Sequence, residues 1–132
     1  MLDTNVVAEV RKPRPHAAVV AWFEIVAAPE LFLSVLVVGE IQQGVERLRV
    51  RDPRRAAAYD AWLGLLRTDF GDRVLPITEV VAVEWGRLNA RRTLPVVDGL
   101  MAATARVHGL TVVSRNAADF RLAGVPVLNP FE

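Results

Sequence analysis

Short apolar segments with strand-like composition alternate along this chain with segments that have helical periodicity. Short buried strands that alternate with helices favour an α/β fold, in which a parallel sheet is covered on both faces. In such sheets the binding crevice lies at the carboxyl ends of the strands. Functional side chains are therefore expected directly after a strand or in the first turns of the next helix. The predicted strands are residues 1–2, 31–35, 73–77, 110–114 and 125–128.

Apolar residues recur between the predicted strands with the period of an α-helix. Thr78 is placed to cap the fourth helix, and Gly109 is placed to end the fifth. The fifth helix, Val96–His108, is apolar nearly all round, which predicts that it is buried. The apolar stripes of the other four helices are Val19/Trp22/Phe23/Val26, Val37/Ile41/Val45/Leu48, Tyr59/Trp62/Leu63/Leu66 and Val81/Trp85/Leu88.

The composition restricts the kinds of site that this chain can build. Its 132 residues fit one domain, 1–132, with a core that needs no disulfide. The absence of cysteine excludes a Cys-based zinc site, and two histidines far apart in the sequence do not predict a His-rich site. Any metal must then be held by oxygen, which points to Mg²⁺ or Mn²⁺. The net charge is only +1, so nucleic acid would have to contact a local basic patch.

Hydropathy predicts a cytoplasmic protein with a protein partner. The hydrophobic fraction is 52%, and a small domain this apolar is expected to expose apolar patches that mark partner sites. No run of about 18 apolar residues predicts a membrane span, and no signal peptide is visible. No glycine-rich dinucleotide or P-loop motif is present, so a nucleotide cofactor is not expected.

Four acidic residues occupy the positions where a functional site is expected. Asp3 follows the first strand, Glu40 and Asp98 lie in the first turns of helices, and Asp119 follows the fourth strand by a short turn at 115–118. Clustered carboxylates repel one another, and they are maintained where a divalent cation compensates their charge. Such a cation can support phosphodiester cleavage by an activated water. The four residues are therefore a candidate catalytic and metal-binding set.

Each acid also has a purely structural interpretation. Asp3 could cap a helix or form a turn, and Glu40 could be a solvated helix residue. Asp98 could interact with a helix dipole, and Asp119 could be an ordinary turn residue. Their joint placement at the predicted strand ends favours a shared site.

Five motifs in this order resemble those of a known nuclease family. The segments are Leu2–Val7, Ser34–Gly44, Asp98–Ala105, Ser114–Phe120 and Leu128–Phe131. Together they resemble the motifs of PIN-domain nucleases, and most of all the VapC and FitB type. That type is the toxin half of type II toxin–antitoxin pairs. The resemblance spans almost the whole chain.

The resemblance implies a PIN-like fold with a parallel sheet of about five strands between helices. It implies RNA cleavage that depends on Mg²⁺ or Mn²⁺, a homodimer, and a cognate antitoxin that blocks the site. Asp3 and Asp98 would be the firmest metal ligands, with Glu40 and Asp119 completing the set. The supporting polar residues would be Thr4, Asn5, Ser114 and Asn116.

The chain departs from the family pattern in two places. Only Met1 and Leu2 precede Asp3, so either the first strand is short or the true start lies upstream. In the fourth motif some relatives carry the acid at the position of Asn116, whereas here only Asp119 is acidic.

Four basic residues near the first and fourth motifs are candidate RNA contacts, because phosphate contacts supply most nucleic-acid affinity. Arg115 lies beside the fourth motif and is the better candidate. Arg11, Lys12 and Arg14 follow the first motif, and their alternative is a solvated loop.

Two other functions compete with a ribonuclease. The first is a non-catalytic RNA-binding or scaffold module on the same fold, which would be favoured if one of the acids were missing. The second is a phospho-acceptor receiver domain. A receiver would need an acidic neighbour beside Asp3 and a lysine after a late strand, but Lys12 is the only lysine.

Overall fold

The computed structural model describes residues 1–132 and contains seven α-helices and four short β-strands. Two 3-10 turns, Ala28–Glu30 and Gly71–Arg73, precede β1 and β2. The helices are α1 (Thr4–Glu9), α2 (Ala17–Ile25), α3 (Val35–Arg51), α4 (Pro53–Phe70), α5 (Glu79–Arg91), α6 (Val96–His108) and α7 (Ala117–Leu122). The strands are β1 (Leu33–Ser34), β2 (Val74–Leu75), β3 (Val112–Val113) and β4 (Val127–Leu128).

All the strand pairings are parallel, as the alternation of strands and helices predicts. β1 pairs with β2, and β3 pairs with β4. Leu2 joins the two pairs, because it forms parallel bridges to both Leu33 and Val113. The resulting order is β2, β1, Leu2, β3, β4, so the first predicted strand is reduced to one bridging residue at the centre.

The observed strands are two residues each and shorter than the predicted ones, and behind β1 a helix begins directly. Ser34 is the last residue of β1 and also caps α3, since its Oγ accepts a hydrogen bond from the Leu36 N–H at 3.1 Å. Asp3 caps α1 in the same way directly after Leu2. Two polar side chains are therefore fixed at the carboxyl ends of neighbouring strands.

The core confirms the predicted apolar faces. Val37, Ile41, Val45 and Leu48 are all buried along one face of α3. Residues 101–105 of α6 are also buried, and this helix has the bounds that its sequence predicts. Gly109 ends α6 in the left-handed conformation, with φ of 64°. Thr78 caps α5, as predicted, by accepting from the Val81 N–H at 3.3 Å.

Two short helices were not anticipated. α1 and α7 have six residues each, which is too short to show a helical period. The predicted turn at 115–118 was therefore wrong in part, because α7 begins at Ala117. None of the seven helices has the length and apolar character needed to cross a membrane.

Candidate active site

Asp3 lies at the centre of the sheet edge, and both of its carboxylate oxygens accept hydrogen bonds. Oδ1 accepts from the Thr4 backbone N–H at 2.8 Å. Oδ2 accepts from the Ser114 hydroxyl at 2.6 Å and from the Asn5 amide at 3.2 Å. Only 7% of Asp3 is exposed. This buried carboxylate is held in one orientation by donors from α1 and from the end of β3.

Ser114 connects Asp3 to the rest of the fourth motif. Its Oγ is fully buried and also accepts from the Asn116 N–H at 2.9 Å. The Asn5 side-chain amide donates to the same oxygen at 3.4 Å. The Asn5 side-chain oxygen Oδ1 accepts from the Arg115 backbone N–H at 3.3 Å. The structure therefore brings three of the predicted supporting residues, Asn5, Ser114 and Asn116, into contact around Asp3.

Glu40 and Asp119 are each oriented by a polar neighbour. The Thr4 hydroxyl donates to Glu40 Oε1 at 2.7 Å, which joins α1 to the second turn of α3. The Asn116 amide donates to Asp119 Oδ2 at 3.1 Å across the start of α7. These contacts involve Thr4, the one remaining predicted supporting residue, and Asn116, which also donates to Ser114. Three of the four acids are thus fixed by short polar side chains.

Asp98 lies in the first turn of α6 and is the acid that the hydrogen bonds of the site do not reach. Its pKa is raised, first by burial and then by the negative charges of Asp3, Asp119 and Glu40. The charges of Asp3, Asp119 and Glu40 reach Asp98, so the four carboxylates surround one region of the fold. The other three predicted acids therefore lie near enough to Asp98 for their charges to act on it.

The first turn of α6 is positioned by a close contact with α5. A Cβ on Gly99 would lie 3.0 Å from Nε1 of Trp85, so a larger residue there would require the indole to shift. The indole nitrogen is buried and has no hydrogen-bond partner. Trp85 was predicted as a core or interface residue, but its contact beside Asp98 was not anticipated.

The donor set fits a hydrated divalent cation of the Mg²⁺ type. Every candidate ligand is a carboxylate oxygen. The negative charges of three acids raise the pKa of Asp98, and a bound cation would compensate these charges. No three acidic or histidine side chains converge closely enough to coordinate one ion directly. Mg²⁺ commonly uses one or two carboxylates and retains several waters, which agrees with this wider spacing.

Comparison with known proteins identifies the family to which this arrangement belongs. Residues 1–125 match the family model described as PIN domain. The chain belongs to the PIN-domain family. It is similar to Toxin FitB of Neisseria gonorrhoeae, with 32% identity over 99% of this chain and 97% of that protein. This confirms the PIN resemblance of the VapC and FitB type that the five motifs predict.

One further relative and one solved structure match along nearly their whole length. VapC ribonuclease Y4jK of Sinorhizobium fredii is 31% identical over 100% of this chain and 97% of that protein. A solved structure of FitAB bound to an IR36 DNA fragment has a TM-score of 0.91 and 31% identity. It covers 99% of this chain and 94% of the matched chain. The predicted α/β fold is therefore confirmed.

The four candidate RNA contacts of this PIN domain lie in different environments. Arg115 lies over the Phe131 ring at 3.7 Å. Lys12 donates to Glu9 at 2.9 Å. The Arg11 guanidinium lies over the Tyr59 ring at 4.2 Å and so packs against α4. Arg14 is exposed.

Glu9 is a buried carboxylate that the sequence analysis missed. Its side chain is 6% exposed, and it lies 3.8 Å from the Arg115 guanidinium. It also accepts from the His16 backbone N–H at 3.1 Å. The hydrogen bond from Lys12 holds the pKa of Glu9 below its ordinary value. Glu9 therefore ties two basic side chains to the end of α1. Its position as the last residue of a six-residue helix gave no periodic signal.

Glu9→Gln is expected to loosen Arg115 and Lys12 without removing any of the four clustered acids. If these bases contact RNA phosphates, KM for RNA should rise about 3- to 10-fold while kcat stays within about twofold. Steady-state cleavage assays would measure the split. Glu24→Gln, an exposed position on α2, is the matched control. A fall in kcat with unchanged KM would show that Glu9 acts on the acids instead.

Proposed function

We propose that this PIN-domain protein is a metal-dependent endoribonuclease and the toxin of a VapBC-type toxin–antitoxin pair. The observation that carries the proposal is the proximity of three acids to Asp98, whose pKa they raise. A non-catalytic binding module has no need for this repulsion, which costs stability in the absence of a cation. The relatives named Toxin FitB and VapC ribonuclease support the same activity.

Asp3 and Asp98 would hold the metal, with Glu40 and Asp119 completing its surroundings. A bound Mg²⁺ or Mn²⁺ would supply positive charge to the phosphodiester and activate a water for attack. Ser114 and Asn5 keep the Asp3 carboxylate in place through their hydrogen bonds. The same support would hold the acids still while the scissile phosphate enters, so that little reorganisation accompanies the reaction.

Thr4 and Asn116 would act as positioning residues for the other two carboxylates. Each donates to one carboxylate oxygen, Thr4 to Glu40 and Asn116 to Asp119, and leaves the second oxygen free of that contact. A carboxylate oriented in this way is ready to accept a proton without first rotating. Asn116 therefore supports Asp119 as the fourth acid of this chain.

The proposed partners are RNA, a cognate antitoxin and a second copy of the chain. RNA as the substrate is supported by the ribonuclease name of the Sinorhizobium relative. The FitAB structure supports a protein partner of the FitA kind. Exposed apolar residues agree with protein contacts, since Ile25 is 82%, Val50 89% and Leu65 65% exposed. A homodimer is proposed from the family resemblance.

Cleavage of RNA by the purified protein tests the proposed activity. Labelled single-stranded RNA should be cut with Mg²⁺ or Mn²⁺ and left intact with EDTA, and Asp119→Asn should be at least about 10-fold slower than wild type. An exposed acid at the other end of the sheet, Asp72, provides the control variant Asp72→Asn. RNA binding without cleavage under either metal would instead support a non-catalytic RNA-binding module.

Metal binding should also raise thermal stability, because a cation relieves the repulsion among the acids. A ligand at tenfold its Kd stabilises the folded state by about 1.4 kcal/mol. For a chain of this length we expect Tm to rise by about 3–6 °C in Mg²⁺ or Mn²⁺. Differential scanning fluorimetry with and without metal would measure the shift. An equal rise in Asp98→Asn would indicate a metal site elsewhere.

A further inference from the structure

A cavity of about 390 Å³ lies between α5 and the end of α7, and the residues of its wall carry a net positive charge. Its wall contains Arg87, Arg91, Arg92 and Arg106 but only one acid, Glu84. We call the part lined by these five residues the arginine groove. The whole chain carries a net charge of only +1, so this groove concentrates positive charge that the composition does not reveal.

Part of this charge is free of intramolecular partners. Glu84 lies 2.9 Å from Nε of Arg106 and 3.6 Å from the guanidinium of Arg87. Arg106 also donates to the Gly124 carbonyl oxygen at 3.3 Å, so it bridges α5 and the segment after α7. Arg91 and Arg92 are exposed and belong to none of the ion pairs. Two guanidinium groups therefore remain available to an anionic ligand.

Helix electrostatics explain only part of this arrangement. Arg91 lies in the last turn of α5, where a cation is favoured by the helix dipole. Arg106 lies in the last turn of a different helix, α6, where the same effect favours a cation. Convergence of arginines from two helices on one cavity is not a requirement of either helix, and it points to a ligand with distributed negative charge.

Two residues of the cavity wall lie close along the chain to acids of the candidate active site. Leu94 lines the cavity and precedes Asp98 by four residues. Leu122 also lines it and follows Asp119 by one turn of α7, about 4.5 Å along the helix axis. Neither Asp98 nor Asp119 lines the cavity itself, so a ligand that contacts both the acids and the groove would have to be extended.

We propose that the arginine groove binds the phosphodiester backbone of RNA next to the scissile bond. This inference rests on the proposed ribonuclease function and extends its substrate contacts. Planar guanidinium groups bind phosphate oxygens in a bidentate manner, which suits arginine better than lysine for this role. The apolar wall formed by Leu88, Leu94 and Leu122 would exclude water beside the strand.

The test compares two double variants that remove the same charge from different surfaces. Arg91→Gln/Arg92→Gln changes the groove, and Arg54→Gln/Arg55→Gln changes an exposed arginine pair at the start of α4. The groove variant should raise KM for single-stranded RNA about 5- to 10-fold with kcat within about twofold, and the control should change KM less than about twofold. Equal Tm values would show that both variants are folded.

Salt dependence gives a second readout that loss of structure would not produce. Each phosphate contact to a single strand contributes about 0.7 to the slope of log K against log salt. Removing two contacts should lower that slope by about 1.4 in the groove variant, relative to the control. Equal slopes and equal KM changes in the two double variants would overturn the proposal, because net charge alone would then explain binding.

The proposed activity and the groove can fail separately. If wild type cleaves no RNA, the ribonuclease proposal is wrong. The groove is then decided by anisotropy with labelled RNA, in which the groove variant must bind more weakly than the control. If wild type cleaves RNA and the groove variant has an unchanged KM and salt slope, the groove proposal is wrong and a protein partner is the remaining ligand for this surface.

Discussion

Asp98→Asn is expected to abolish RNA cleavage and at the same time raise the Tm of the metal-free protein. The substitution removes a carboxylate proposed to hold the metal, so kcat/KM should fall at least about 1000-fold. It also removes a negative charge that Asp3, Asp119 and Glu40 repel. Relief of this repulsion should stabilise the fold by at most about 1 kcal/mol, because solvent screens a partly exposed carboxylate.

The stability gain should depend on pH in a defined direction. Burial and the other acids raise the pKa of Asp98, so the folded protein binds this proton more tightly than the unfolded chain does. Wild type therefore loses stability from this group as pH rises from about 3.9, the ordinary Asp value, through the raised pKa. Asparagine has no such proton. The Tm advantage of the variant should be smallest near pH 4 and largest near neutrality.

Thermal melts of wild type and Asp98→Asn in EDTA, from about pH 4 to pH 8, would measure this difference. At neutral pH a Tm increase of about 2–5 °C is expected for a chain of this length. Asp72→Asn serves as the control, because Asp72 is exposed in the turn before β2. A Tm advantage that is absent or independent of pH would contradict the shared acidic site, even if cleavage were lost.

Sequence periodicity predicted the long helices well because their buried faces repeat over several turns. The α6 helix has its predicted bounds, since its apolar run, Gly109 and the preceding Pro95 act together. The same reasoning could not detect α1 or α7, each of which spans fewer than two turns. Strand lengths were overestimated because apolar runs extend beyond the paired residues, ahead of the strand at β4 and into the start of α3 at β1.

The acids could be predicted as a set although none was distinctive alone. Asp3 shows why, since the structural interpretation of this residue as a helix cap is also correct. The cap and the proposed ligand are the same carboxylate, held at the end of the central bridge by Ser114. The contact of Glu9 with Arg115 and the contact of Trp85 with Gly99 join segments that are distant in the sequence, and they carried no local signal. Tertiary packing alone placed them beside the site.

Asp3→Ala should lower both activity and stability, in contrast to Asp98→Asn. The Asp3 carboxylate caps α1 through the Thr4 N–H, and loss of an N-cap costs about 0.5–2 kcal/mol. It also accepts from the fully buried Ser114 hydroxyl. Leaving such a donor without its partner costs about 1–3 kcal/mol. These losses exceed the relief of repulsion, so we expect a net destabilisation of about 2–4 kcal/mol.

Urea unfolding in EDTA would measure the free energy of unfolding, with unchanged m-values showing that the two states are comparable. Thr78→Ala is the matched control, because Thr78 caps α5 and lies outside the acidic cluster. It should cost only about 1 kcal/mol. Asp3→Asn keeps a good capping residue and should be more stable than Asp3→Ala while remaining inactive. If Asp3→Ala were no less stable than Thr78→Ala, the Ser114 hydrogen bond would contribute nothing to the fold. The Asp3 carboxylate would then stabilise the fold only by capping α1. The contrast in stability between Asp3→Ala and Asp98→Asn would have to be explained by charge rather than by buried hydrogen bonds.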